Sequence, residues 1–162
     1  VMQMLAHGLV AGALFLLIGL LYERTHTRDI TAYSSLVQTV PRFALFTTLA
    51  FLSAIGLPGT AGFVAELHAM LGSFQAFRWW TLLLSAGVLI SAAYALRSVG
   101  RLFTGPVRPA MRNVADLAGH ELVAVGLLTG CVLYIGLAPA ATLQLMSASV
   151  AQLSAALAQH PL

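Results

Sequence analysis

The chain has 162 residues, of which 59% are hydrophobic and only 8% charged, and its net charge of +3 comes from eight arginines, with no lysine, set against five acids. A soluble domain carries about 25% charged residues and needs them to cover its outside, so this balance excludes an ordinary water-soluble fold and assigns much of the surface to lipid. The arginines are scattered singly rather than in a basic run, which argues against nucleic acid as a partner, and the lone Cys131 rules out an intrachain disulfide or a paired-cysteine metal motif.

The first element is an apolar stretch from Met2 to Tyr22, interrupted only by His7. About 20 such residues cross a hydrocarbon core of about 30 Å as a helix. Because Val1 opens directly into this helix, the chain is read as an internal or C-terminal piece of a larger protein. Glu23, Arg24, His26, Arg28 and Asp29 follow within seven positions, which puts them at an aqueous surface and ends the first crossing.

From Pro41 to Phe77 the chain is apolar again, too long for one straight crossing at about 1.5 Å per residue. Gly56, Pro58, Gly59 and Gly62 supply an interruption: Pro58 lacks a backbone donor, and the glycines lower the cost of non-helical backbone. Two half-helices are expected, over 42–55 and 61–74. The next crossing spans 79–103, with Arg78, Trp79 and Trp80 anchoring it at an interface. A Gly- and Pro-punctuated loop from Thr104 to Gly119 separates it from a last crossing over 120–137. After Pro139, residues 140–159 have helical propensity with polar interruptions, as expected for a terminal interfacial helix.

The expected fold is therefore all-α, a polytopic membrane helix bundle of four crossings with one broken helix. If the broken segment crosses once, Arg24, Arg28, Arg42, Arg97, Arg101, Arg108 and Arg112 share one side and only Arg78 lies opposite; a hairpin would split the eight evenly. The tendency of arginine to stay cytoplasmic favours the single crossing and leaves the C-terminus on the periplasmic side of an inner membrane.

Glu66 is the most informative residue. It follows Gly59 by seven positions, which sets a carboxyl near mid-membrane beside unwound backbone. Such a group is costly to bury, on the order of a few kcal/mol, and is retained chiefly for handling protons or ions. Non-helical backbone at that depth is tolerated where it lines a water-filled cavity or is buried in protein, so the break and the acid support one another. The competing reading is a buried acid satisfied by a neighbouring helix with no transport role.

Histidine is the side chain suited to passing protons, and His7 is followed by Gly8 and Gly12, which allow a second helix or water to approach. It could relay protons to Glu66 or merely hydrogen-bond inside the bundle. His68 lies about 200° around the helix from Glu66, so the pair cannot share a face. It is the weakest of the three proton-transfer candidates. Arg97 and Arg101 read as interfacial anchors, and Glu121 as a carboxylate near a helix N-terminus. No phosphate-binding glycine loop, nucleophile elbow or metal-ligand motif is present, so neither a cofactor nor a metal is expected in this chain.

Three strings together resemble one family: Ala6-His7-Gly8-Leu9 through Leu16, then Tyr22-Glu23-Arg24-Thr25-His26-Thr27-Arg28, then Gly56-Leu57-Pro58-Gly59-Thr60-Ala61-Gly62-Phe63-Val64-Ala65-Glu66. They are similar to the antiporter-like, proton-translocating subunit M of NADH:quinone oxidoreductase. The resemblance implies two inverted repeats, each with a broken helix carrying a charged residue. It also implies that this chain supplies the last four helices, with Glu66 as the acid of the second broken helix and His7 on the central polar axis. Partners would be the remainder of the same subunit, neighbouring membrane subunits and the lipid bilayer. Two departures stand out: His68 occupies a position usually apolar, and His120 one where arginine is expected. A multisubunit cation/proton antiporter, a membrane-bound hydrogenase arm and a non-conducting structural anchor are the alternatives.

Overall fold

The structure is a computed structural model that describes residues 1–159; among them there are only helices, turns and loops. Seven α-helices follow in order: α1 (Met2–Thr25), α2 (Leu36–Thr39), α3 (Pro41–Ala54), α4 (Ala61–Phe77), α5 (Thr81–Phe103), α6 (Gly119–Leu137) and α7 (Pro139–Gln159). Three helical stretches are long and apolar enough to cross a membrane: α1, the run Ala61–Phe103, and α6. The run Ala61–Phe103 is not one rod. Arg78 takes φ 53 and ψ −123 between α4 and α5, and the chain reverses there. A straight helix of 43 residues would measure about 65 Å, twice the hydrocarbon thickness.

The centre of the bundle is α1. Its buried residues Met2, Ala6, Val10, Ala13, Leu17 and Leu21 recur every three or four positions and so form one stripe, while Met4, Phe15 and Ile18 face outward. Alanines at two of the six positions let neighbouring helices come close, which matters in lipid because packing, not water exclusion, drives helix association there.

Two packed layers share this stripe. Ala13, Leu17 and Leu21 meet Phe43 and Ala44 of α3, Phe103 of α5 and Val125 of α6, whereas Met2, Ala6 and Val10 meet Ala61, Val64 and Ala65 of α4 and Val132 and Ile135 of α6. Thus α3 lies beside the second half of α1 and α4 beside its first half. The two half-helices run head to tail, antiparallel to α1.

The end of the bundle where α1 finishes is built by its loops. Ser35 N–H donates to Thr104 O (3.3 Å) and Ser34 Oγ to Pro106 O (2.6 Å), pinning the α1–α3 connection to the α5–α6 connection. Asp116 accepts from the N–H groups of Arg42 (2.9 Å) and Phe43 (3.0 Å), satisfying two of the orphan donors at the start of α3. The segment 104–119, expected as a plain surface loop, buries Met111 and Leu117 in the core. α1 also runs three residues past the expected end at Tyr22, because Arg24 is held by Leu20 O (2.8 Å) and by Glu121 (2.5 Å); the helix closes at His26 in the left-handed region. The crossing expected from residue 79 starts at Thr81, after a 3-10 turn over Arg78–Trp80. At the opposite end, α7 places Leu143 and Met146 against the Met2–Ala6–Val10 layer.

Candidate functional site

The break between α3 and α4 has a defined stereochemistry. Leu57 N–H donates to Leu52 O (2.9 Å) and Gly56 N–H to Ser53 O (3.2 Å), the two bonds of a Schellman ending with Gly56 as the left-handed residue at φ 74. Pro58 follows at once and cannot continue the ladder. Gly59 takes φ 93, Thr60 N–H and Oγ1 both donate to Leu57 O, and α4 begins at Ala61. No side chain caps α4.

Close approach explains the remaining glycine of the motif. A Cβ at Gly62 would overlap the carbonyl oxygen of Ser53, so α4 can touch the end of α3 only through a bare Cα. On the other side, a Cβ at Gly136 of α6 would overlap the backbone of Gly59 and Thr60. The rupture is clamped between two backbones.

Glu66 stands one helical turn beyond Gly62 on the same face of α4. Its carboxyl group lies against the Cα of Gly56, where any side chain would collide with it. The acid is half-buried, and it makes neither a hydrogen bond nor an ion pair among the described residues. A cavity of about 230 Å³ opens in front of it, lined by Gln3, His7, Ser53, Gly62, Glu66 and Tyr94 among others. At about 30 Å³ per water in the liquid, this space has room for several molecules.

His7 and Glu66 therefore face one cavity, contributed from α1 and α4. His68 does not. Its Nδ1 is 2.7 Å from Val64 O, and its ring lines a separate cavity of about 370 Å³ beside Met2, Gln3, Leu143 and Met146. This is the separation that the 200° offset along α4 requires. Gly56, Gly59 and Gly62 each have a distinct conformational or packing task, and Pro58 lies within the turn.

Three polar residues at the cavity escaped the sequence reading. Ser53 is 1% exposed with an Oγ that finds no partner, although a helical serine commonly bonds back to the carbonyl four residues earlier. Tyr94 brings a phenol from α5, and Gln3 an amide from the start of α1. The only available signal was a hydroxyl inside an apolar span, and Thr47, Ser85 and Ser98 give the same signal elsewhere.

The chain is 40% identical over 154 residues to an NADH-quinone oxidoreductase subunit M of Rhodobacter capsulatus, and 36% identical over 155 residues to an NADH-ubiquinone oxidoreductase chain 4 of Arabidopsis thaliana. Each alignment takes in 94% of this chain and 30% and 31% of those relatives, so the chain spans about a third of their length. A chain of the respiratory complex I of Thermus thermophilus with bound NADH superposes with a TM-score of 0.78 and 37% identity, covering 85% of this chain and 29% of that one. The family described as NADH:quinone oxidoreductase/Mrp antiporter, transmembrane, matches residues 1–91, from α1 through the break and Glu66 into α5. On that match, which takes in more than half of its residues, this membrane-embedded chain belongs to the NADH:quinone oxidoreductase/Mrp antiporter family.

Proposed function

We propose that the chain is part of a proton-translocating, antiporter-like membrane subunit of a respiratory NADH:quinone oxidoreductase, supplying its last four crossings, with α3 and α4 together as one broken crossing. The observation that carries this reading is the placement of Glu66: an unpaired carboxyl against the Gly56 Cα at a helix rupture, facing a cavity it shares with His7. A carboxyl without a fixed partner can lose and regain its proton without breaking a structural bond. Unwound backbone beside it offers carbonyl groups to water at a depth where lipid offers none.

In this mechanism redox energy released elsewhere in the complex changes the charge of neighbouring membrane groups, and Glu66 responds by exchanging a proton. His7 and cavity water carry protons between Glu66 and the remainder of the subunit. The arginine-rich end is assigned to the cytoplasmic side of a bacterial inner membrane, which places α7 near the periplasmic interface. His68, on the far face of α4, is at most a branch of this path.

Glu66→Gln in the intact protein keeps the shape and removes the titration. Proton pumping is expected to fall while the complex still assembles; undiminished pumping would remove Glu66 from the mechanism. The family description also embraces cation/proton antiporters, and that reading predicts transport that depends on sodium rather than on NADH oxidation. The relatives named for the oxidoreductase favour the first reading. A purely structural anchor is disfavoured by the polar cavity in front of the carboxyl group.

A further inference from the structure

The end of the bundle rich in arginine contains two adjoining cavities distinct from the one that Glu66 lines. The outer one, about 350 Å³, is lined by Thr31, Ser34, Arg101, Thr104 and Arg108 together with the Gly105-Pro106 turn. The inner one, about 240 Å³, is lined mainly by Ile18, Leu21, Ile30, Phe43, Phe51 and Leu102, with Arg28 at its rim. Ile30 and Tyr33 belong to both linings, so the two spaces meet across a shared wall.

That wall is built, not incidental. Tyr33 is buried, with its hydroxyl donating to Thr27 O (2.6 Å) and lying 2.9 Å from Thr25 Oγ1. Arg108 Nη1 donates to Thr31 O, and Ser34 and Ser35 bond to the α5–α6 connection, so both loops are held as one rim. The stem of Arg28 is fixed by its guanidinium lying 4.3 Å above the Tyr22 ring.

Cationic groups outnumber acids at this rim. Asp29 is the acid beside Arg108, its carboxyl held below the usual carboxylate range by the Thr31 N–H (2.9 Å) and, to a lesser degree, by Arg108 itself, which leaves Arg101 uncompensated among the described residues. Arg101 has no ion pair among the described residues; the one pair there, Arg24 with Glu121, lies elsewhere. The outer face of α5 leading to this rim is exposed and apolar at Leu82, Leu83, Leu89, Ile90 and Leu96, as a surface against acyl chains would be.

We propose that the paired cavities bind one anionic phospholipid, its phosphate on Arg101 and Arg108 and the start of an acyl chain in the apolar space below Ile30 and Tyr33. The chemistry is that of an amphiphile: a cationic, donor-rich compartment continuous with a hydrocarbon one, at the level where a helix bundle meets headgroups. A zwitterionic lipid would leave Arg101 without a net counter-charge, and a free phosphate would leave the apolar compartment empty.

The test uses the full-length protein purified in detergent, stripped of lipid, and titrated with phosphatidylglycerol, phosphatidylcholine or inorganic phosphate while thermal unfolding and bound lipid by native mass spectrometry are followed. Phosphatidylglycerol is expected to bind at least tenfold more tightly than phosphatidylcholine and to raise the unfolding temperature, with inorganic phosphate doing neither. Arg101→Gln/Arg108→Gln should abolish that preference, and Ser98→Phe, which fills the apolar compartment and leaves both arginines, should weaken phosphatidylglycerol about tenfold. Equal binding of the two lipids by the wild-type protein overturns the proposal even if neither variant folds. So does protection by inorganic phosphate that persists in Ser98→Phe, or density for a neighbouring protein segment in the inner cavity.

Discussion

The two ends of α1 are packed by the same stripe of side chains but are held by different means, although Ser35 Oγ and Thr39 Oγ1 are buried without a partner at the arginine end too. At the arginine end, polar groups are tied across long sequence distances: Arg24 to Glu121 and Ala115 O, Asp116 to three N–H groups, Tyr33 to Thr25 and Thr27. At the break, Glu66 and Ser53 Oγ have no partner among the described residues, and the helix rupture is held by glycine packing instead. Long-range polar ties fix the loops at one end, and an acid without a fixed partner faces a cavity at the other. On the proposed function, the difference teaches that anchoring and chemistry are separated along a single helix.

The comparison breaks most severely where backbone meets backbone. Gly62→Ala or Gly136→Ala must push apart two main chains, and each is expected to destabilise the fold by about 3 kcal/mol, read as a lowered unfolding temperature and reduced protein in the membrane. Arg24→Ala leaves Glu121 partly buried without its guanidinium partner, whose side chains are only 19% and 15% exposed in the pair. A loss of about 2 kcal/mol is expected, with no effect on proton exchange at Glu66 if anchoring and chemistry are separate. Asp116→Ala removes the acceptor at the start of α3 and should cost about 1 kcal/mol. Ser53→Ala removes a hydroxyl with nothing to bond, so stability should change by less than about 0.5 kcal/mol. A fall in pumping from that variant alone would sharpen the contrast, because it would mark a hydroxyl kept for water rather than for the fold.

The smallest effect concerns acid. Asp29 accepts from the Thr31 N–H, and that bond holds its carboxyl below the usual range. A group depressed in the folded state stabilises it above the ordinary aspartate range and loses that contribution as pH falls through the folded value. The turn over Ile30–Ala32 should therefore keep its amide protection through the ordinary aspartate range and lose it only at more acid pH, as hydrogen exchange would report; protection that persists once the carboxyl is fully protonated would show that the carboxylate plays no part.

Local signals in the sequence were enough to place the break. Gly56 and Pro58 end a helix by rules that need no tertiary information, and Glu66 follows close enough to sit at the same level. A relay with His7 was only an expectation, and the shared cavity itself comes from the packing of α4 along the first half of α1, which no local signal announces. Other features were invisible because they rest on pairings between distant residues. Arg24 and Glu121 are 97 positions apart, and nothing near either names the other. α2 has only four residues, and Leu36 is fully buried within it, yet no periodicity can be read over so short a span. The burial of Met111 and Leu117 was likewise hidden, since loops rich in proline and arginine ordinarily read as solvent.

The contact of Gly136 with the peptides of Gly59 and Thr60 carries a mechanical corollary. Side chains between helices act as springs that absorb small displacements by changing rotamer, but main chain against main chain has no such compliance. Any sliding of α6 along its axis would press directly on the fractured joint beside Glu66, so α6 and that elbow are coupled by a contact that no rotamer change can relax.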